Sequence, residues 1–573
     1  MEGLRLTGFG GVGEIGGNAF LLEAPGLRAM LDIGKRFGAA ATMQQAEGGK
    51  RFDPSRFERR PGWSDYFDQY LQPRRSSAAA DLGALGLIPW QDGLESLYRA
   101  DSGGAPGPPP VDLVLVSHAH IDHCGLLGLV RPDIPVALSQ ESLATLASME
   151  ATGADGWESD FTELRVRGGY RLDEEGFKQA QYRNESGLRR TFLTGRRPDA
   201  PGKWDVTFHD VDHSIQGAGA FVLSDGDHRI VYTGDLRRHG LHPEKTAAFL
   251  KAADEATVLI MEGTRVRPAD EGHGHAAYGT DREADVETQL LHLIQAHEAS
   301  GGHPFVAVGY PPRDLDRMRS LHRVARAVGR RLLLTTKQAH LLDALRSAGR
   351  ADLPDWRTDP HLGVFVRAGG SLLMRRPGHV PIADKARLAI EYLQVSQQEW
   401  SALATRWLDD WEQALLGAEV VRVKGRTVVN RPVSFGPDRV VTCQDVQATP
   451  GQYLFSLALY NMTDLFDVFP DRAKAGGLYI HSMTQPHNDD MEMDHFRLRR
   501  WLRAFHLNAP DHEPRTTHVS GHLSHEDIEE ILDTLRPKLL VPIHSEHPGL
   551  TAERYAARTG RKAALPVAGA PLR

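Results

Sequence analysis

An apolar run ends in Val116-Ser117-His118-Ala119-His120-Ile121-Asp122-His123, which sets four potential metal ligands within six residues. The run Leu113–Val116 reads as a buried strand, and the tight loop after it presents the four side chains together. Imidazole suits Zn or Mn, and a carboxylate beside it can serve a second, harder ion. A His-rich surface loop is the bland alternative. One histidine would fit it, but four ligands at this spacing behind a buried strand do not. Further ligands have to come from other strand ends, and layered α/β folds gather strand ends into one cleft.

The rest of the chain has that texture. Short apolar strands alternate with amphipathic helices, the pattern of an α/β protein. Ala19–Glu23 and Leu27–Asp32 read as strands joined by a Pro-Gly turn, and Val231–Thr233, Val258–Met261 and Leu539–Ile543 as strands running into a His, Asp or Glu. Residues 35–110 are polar and irregular, with a helix expected at Trp63–Leu71 and a Gly/Pro-rich linker at 103–110. They read as an insertion. Farther on, Phe305–Tyr310, Asp314–Val328 and Leu332–Thr336 spell strand–helix–strand, with Leu315, Met318, Leu321, Val324 and Val328 as the buried stripe. This suggests a Rossmann-like domain inserted into the first one.

At 573 residues the chain is too long for one core, so two or three domains are expected. A hydrophobic fraction of 41% and a charged fraction of 25% suit a folded soluble protein. Cys124 and Cys443 are the two cysteines, which excludes a disulfide framework or a thiolate metal cluster and points to a reducing cytoplasm. The opening does not read as a signal peptide, and no apolar run approaches the ~18 residues of a membrane helix, so no membrane is expected. A net charge of −8 argues against nonspecific coating of nucleic acid. It leaves room for a nuclease, because bound metals and a local basic wall attract phosphates within an acidic protein.

Other candidates follow in chain order: His213 in Asp212-His213-Ser214, Asp235 after Tyr232-Thr233-Gly234, and His544 after Val541-Pro542-Ile543. The succession His-x-His-x-Asp-His, His, Gly-Asp and a late His resembles the metallo-β-lactamase superfamily. Gly10-Gly11-Val12-Gly13-Glu14-Ile15-Gly16, and Asp32 at a strand end, fit its first strands. The resemblance implies an αββα sandwich holding two divalent ions, Zn or Mn. His118, His120 and His213 would hold one, Asp122, His123 and His544 the other, with Asp235 between them. The implied nucleophile is a hydroxide bridging the ions.

The long gap from Asp235 to His544 resembles that of the β-CASP nucleases, which insert a cap late in the lactamase fold. Glu262 in Ile260-Met261-Glu262-Gly263-Thr264 matches the acidic residue before the cap, His522 in His518-Val519-Ser520-Gly521-His522 the second motif, and His544 the third. This implies a core at 1–262 and 479–573 and a cap at 263–478, with substrate threading between them. His522 would give a proton to the leaving oxygen while Glu262 orients its ring. His518, Ser520 and Gly521 stand before a helix that opens with the capping box Ser524-His525-Glu526-Asp527, a place to receive phosphate. The segments look most like ribonuclease J. Two departures stand out: few residues follow His544, where that group has a further domain, and His481-Ser482-Met483-Thr484-Gln485-Pro486 stands in place of its glycine-rich phosphate loop. Ser482 is the residue kept there.

Several patterns are decoys. Gly8-Phe9-Gly10-Gly11-Val12-Gly13 fits a dinucleotide fingerprint, but a strand, not a helix, follows it. His273 and His275 lie in a Gly-rich loop without a companion acid, and Cys124 reads as a small buried residue. The arginines at 313, 317, 319, 323, 326, 330 and 331 are either a solvated helix face or the wall of a nucleic-acid groove. The acidic run 489–494 is expected to open a helix leading to Trp501.

The expectation is a two-metal nuclease acting on single-stranded RNA or DNA, RNA favoured because of the third-motif histidine, with a homodimer allowed. The rivals are a DNA-repair nuclease of the same kind, a small-molecule metallo-hydrolase and a non-catalytic scaffold.

Overall fold

All five residues of the strand Val258–Glu262 are buried, so it needs cover on both faces. The structure, a computed structural model, shows how it is covered. It describes residues 3–36, 44–46, 49–51, 63–66, 79–100, 107–153, 159–166, 170–172, 178–180, 185–268, 282–367, 410–417, 421–423, 426–428, 436, 438–484, 489–510 and 517–572. The chain forms two units, Met1–Ala277 with Ser520–Arg573, and Tyr278–Val519.

In the first unit, one sheet runs in the order Phe192–Leu193, Val136–Ala137, Leu113–Leu115, Leu27–Leu31, Ala19–Ala24, Arg5–Gly10, Pro571–Leu572. The other runs Asp205–Asp210, Gly219–Ser224, Arg229–Tyr232, Val258–Glu262, Leu539–Ile543, Lys562–Ala563. Alternation decides which side chains go where. Phe20, Leu22, Leu31 and Leu115 of the first sheet pack against Phe221, Leu223, Ile260 and Ile543 of the second. Their neighbours Leu21, Met30, Val114, Val222, Leu259 and Leu540 face outward, into a layer shared with Leu146, Phe249, Ile528, Ile531 and Tyr555 of helices. The result is an α/β sandwich with helices outside both sheets.

Of the Gly8–Gly13 stretch, Gly8–Gly10 end the strand Arg5–Gly10 and the rest opens the connection to the antiparallel strand Ala19–Ala24, so no helix follows. At Gly34 the chain passes so close to the metal-ligand loop that a Cβ would lie 1.7 Å from the Asp122 carbonyl oxygen. The 35–110 segment is not wholly an insertion apart. Within it Leu82, Leu87, Leu94, Leu97 and Tyr98 belong to the main core, because these apolar residues recur within 79–100. Of the helix expected at 63–71, Trp63–Tyr66 is seen and the remainder lies outside the described residues. His273 and His275 lie outside them too.

The second unit is built on a parallel sheet, ordered Val440–Val441, Leu362–Phe365, Arg331–Thr335, Tyr453–Ser456, Val306–Gly309, Gly477–His481, Leu507–Asn508. Helix Leu315–Ala327 starts at Asp314, whose side chain accepts from the Arg317 N–H, and buries Leu315, Met318, Leu321 and Val324. The chain returns to the first unit at Ser520 rather than at 479. The reason is register: Gly477–His481 pairs with Val306–Gly309 and so completes the second unit's sheet. Neither reading of the arginine group fits Arg317. It is fully buried, bonded to Glu283 at 2.7 and 3.0 Å and to the Ser482 and Thr517 carbonyls. Arg319, Arg323 and Arg330 pair with Asp352, Glu287 and Glu298. Among the described residues no helix is long and apolar enough to cross a membrane.

Candidate metal centre

The strand Leu113–Leu115 runs in the first sheet, and a one-turn helix, Ile121–Cys124, follows. That turn separates Asp122 and His123 from the extended His118 and His120. The backbone is pinned from the first strands: Asn18 N–H donates to the Asp122 carbonyl at 2.8 Å and Ile33 N–H to that of His123 at 2.9 Å. His213 follows the strand Asp205–Asp210, Asp235 follows Arg229–Tyr232, and His544 follows Leu539–Ile543.

Two triads result. The ligand atoms of His118, His120 and His213 lie within 4.8 Å of one another, as do those of Asp122, His123 and His544. His118 Nε2 and His213 Nε2 stand 3.0 and 3.2 Å from His120 Nδ1. In the second triad His544 Nε2 is 3.4 Å and His123 Nε2 3.7 Å from Asp122 Oδ2. Asp235 stands between the groups: its Oδ2 is 3.1 Å from His123 Nε2, 3.8 Å from His118 Nε2 and 3.9 Å from His213 Nε2.

The donor set fits divalent ions. In four of the histidines the nitrogen turned away from the cluster faces a second group, as ligating histidines require. His118 Nδ1 faces Ser117 Oγ at 3.0 Å, His123 Nδ1 faces Asp32 Oδ2 at 2.7 Å, His213 Nδ1 faces the Gly521 carbonyl at 2.6 Å, and His544 Nδ1 faces Thr264 Oγ1 at 2.8 Å. The nitrogens left over converge. Asp235 Oδ1 and His123 Nε2 are buried and complete no hydrogen bond, although Nε2 has the Asp235 carboxylate beside it.

The electrostatics suit the same role. Burial and the neighbouring imidazoles hold His118 and His213 well below the usual histidine range, in the neutral form that binds metal. Burial works against ionisation of Asp122 and Asp235, but the histidines around them, His123 first, more than offset it and keep both carboxyls low. Burial also works against a charged His123, yet Asp235, Asp122 and Asp32 outweigh it and raise its pKa. A cation arriving there competes with a proton.

Beside this cluster, His522 Nδ1 stands 3.3 Å from Glu262 and 3.7 Å from Asp235 Oδ2, with 22% of its side chain exposed. Burial disfavours its charge, but Glu262 and Asp235 raise its pKa overall. Sequence reasoning missed Thr264. Its hydroxyl donates to Glu262 Oε2 at 2.6 Å and also faces His522 and His544; the signal available was its place two residues after Glu262. Tyr232 was missed as well; its hydroxyl donates to Asp32.

The expected phosphate-binding residues divide. Ser482 is fully buried in the second unit, its hydroxyl taken by Arg317 and by the Thr517 carbonyl, so it offers none to a phosphate. His518 is half-buried in that unit. Ser520 accepts the His522 N–H at 3.2 Å, and Gly521 lies so close to His213 that a Cβ would come within 3.0 Å of its ring. These two residues brace the histidines.

Residues 95–288, which include the His118–His123 loop, His213, Asp235 and Glu262, match the family described as Beta-lactamase superfamily domain. A curated relative, the transcription termination factor FttA of Methanosarcina mazei, is 21% identical over 293 residues, covering 50% of this chain and 34% of that protein. The chain thus spans about a third of that relative's length. The crystal structure of a protein of unknown function from Enterococcus faecalis superposes with a TM-score of 0.58 at 20% identity, over 100% of this chain and 99% of that one. The metallo-beta-lactamase fold protein YhfI from Bacillus subtilis superposes far more loosely, with a TM-score of 0.23 at 13% identity over 46% of this chain and 72% of that one. Domains of this superfamily generally bind divalent metals, as the convergent donors here would. Over residues 95–288, then, the chain is similar to domains of the metallo-β-lactamase superfamily.

Proposed function

We propose that the protein is a two-metal nuclease of the β-CASP type that hydrolyses phosphodiester bonds in single-stranded nucleic acid, RNA ahead of DNA. The observation that carries this is the meeting of two ligand triads at Asp235, with His522 and Glu262 alongside. Two divalent ions, Zn or Mn, would lower the pKa of a water toward neutrality and neutralise charge on the phosphoryl oxygens. The remaining work falls to the chain. Asp32, Ser117, Thr264 and the Gly521 carbonyl fix the ligating rings. Glu262 holds His522 Nδ1, so the other nitrogen gives its proton to the leaving oxygen.

The second unit, Tyr278–Val519, is the proposed cap. A polynucleotide is favoured over a small molecule by the relative whose name ties it to transcription termination. His544 at the third-motif position favours RNA. Two buried cysteines that form no disulfide, Cys124 and Cys443, suit a cytoplasmic setting.

The test is a time course on 5′-monophosphorylated RNA and DNA strands of one sequence, with Mn or Zn and an Asp122→Ala control. Cleavage of RNA ahead of DNA, lost in the control, is expected. Cleavage of DNA alone would move the reading to the repair branch, and inertness toward both strands by metal-loaded protein would overturn it.

A further inference from the structure

The helix Asp489–Ala504 of the second unit turns one side inward. Leu498 and Leu502 are buried there, Trp501 stacks on Phe505, and Phe466 packs edge-on against both. The opposite side carries Met493 and Phe496, 52% and 47% exposed. Met493 and Phe496 stand on adjacent turns and form a small exposed apolar pair.

The charges around them run in one order. Glu492 and Asp494 precede Phe496; Arg497, Arg499, Arg500 and Arg503 follow it. Asp494 and Arg497 pair with each other at 2.9 Å, and the Arg500 guanidinium lies 4.6 Å from the Phe496 ring centre. Glu492, Met493, Phe496, Arg499, Arg500 and Arg503 are all exposed, at the three- and four-residue steps of one helix face.

This face is antisymmetric in charge about Phe496. Glu492 comes four residues before it and Arg500 four after; Met493 comes three before and Arg499 three after. In sequence Asp489 and Arg503 extend the pattern, each seven residues away. Two copies laid antiparallel across a twofold axis at Phe496 would set Glu492 of each against Arg500 of the other. The same axis would stack the two Phe496 rings and lay each Met493 along the partner's Arg499 stem. A polyanion would be drawn to the arginine half and repelled by the acidic half. A second copy satisfies both.

We infer that the exposed face of this helix is a self-docking surface, through which two copies of the chain pair by their second units. This stands apart from the nuclease reading and uses none of its residues. One helix pair is a small interface, so the dimer is weak, with a Kd on the order of micromolar.

Sedimentation equilibrium on the full chain tests it, with wild type, Glu492→Arg, Arg500→Glu and an equal mixture of the two variants. Wild type is expected to dimerise, and each variant alone to lose roughly tenfold in affinity, because both charge contacts become repulsive. The mixture is expected to recover, since each reversed charge then faces its complement in both contacts. Melting curves of these surface variants keep folding separate from assembly. A monomeric wild type, single variants that dimerise as well as wild type, or a mixture that stays monomeric would each overturn the inference.

Discussion

Asp32 and His544 both hold a left-handed backbone, with φ of 57° and 49°, which residues other than glycine rarely adopt. Both lie at the candidate metal centre, and their contacts keep the conformation. Asp32 accepts from the Ser117 N–H at 2.7 Å and from its hydroxyl at 2.8 Å, and faces His123 at 2.7 Å; His544 N–H donates to the Gly11 carbonyl at 2.8 Å. Asp32→Asn therefore leaves the shape in place but weakens the hold on His123. Metal affinity is expected to fall about 10–100-fold by competition with a chelator. His522→Ala should do the opposite: metal content unchanged, turnover down by about two orders of magnitude or more. An unaltered rate in that variant would remove His522 from the chemistry. The candidate ligands could be picked out in the sequence because each stands in a segment that follows a strand. Thr264 and Tyr232 were not, since a hydroxyl that holds an imidazole leaves no spacing signature.

At the scale of elements, local signals and long-range pairing parted company. The capping box at Ser524 was legible and forms: Asp527 N–H donates to Ser524 Oγ at 3.0 Å, and Ser524 N–H to Asp527 Oδ2 at 3.3 Å. Burial disfavours an ionised Asp527, but His239, Ser524 and Arg238 more than offset that and lower its pKa to about 2. The folded pKa lies below the unfolded value, so the stabilisation is present above about pH 4 and is lost as pH falls through the folded pKa. Asp527→Asn is expected to cost about 1 kcal/mol near neutral pH. In melting curves the gap to wild type should narrow below about pH 4.

Arg317 shows where the sequence misleads. It looks like one of a run of surface arginines, yet the parallel sheet carries its helix inward and Glu283 meets it there. Arg317→Met removes the guanidinium that neutralises the buried Glu283 carboxylate. A loss of about 3–5 kcal/mol is expected in the second unit's unfolding, against at most about 1 kcal/mol for the half-buried Arg319→Met.

At the scale of the whole molecule, the α/β texture was legible from periodicity, and length called for two or three domains where the chain forms two units. The return point at Ser520 was not, because which sheet a strand joins depends on pairing partners far away in sequence. The two units also separate the consequences of metal loss. Ions bound only by the folded first unit add stability by mass action, about 4 kcal/mol at a thousandfold excess over Kd. Chelation should therefore lower one calorimetric transition and leave the second unit's in place.

The central claim is that His118, His120 and His213, with Asp122, His123 and His544, hold two ions that share Asp235. The direct measurement is metal per chain by elemental mass spectrometry after dialysis, for wild type, His120→Ala and His544→Ala. Two equivalents in wild type, with at least one lost in each variant, is the result expected. Wild-type protein that retains no metal, or variants that retain as much as wild type, would contradict it.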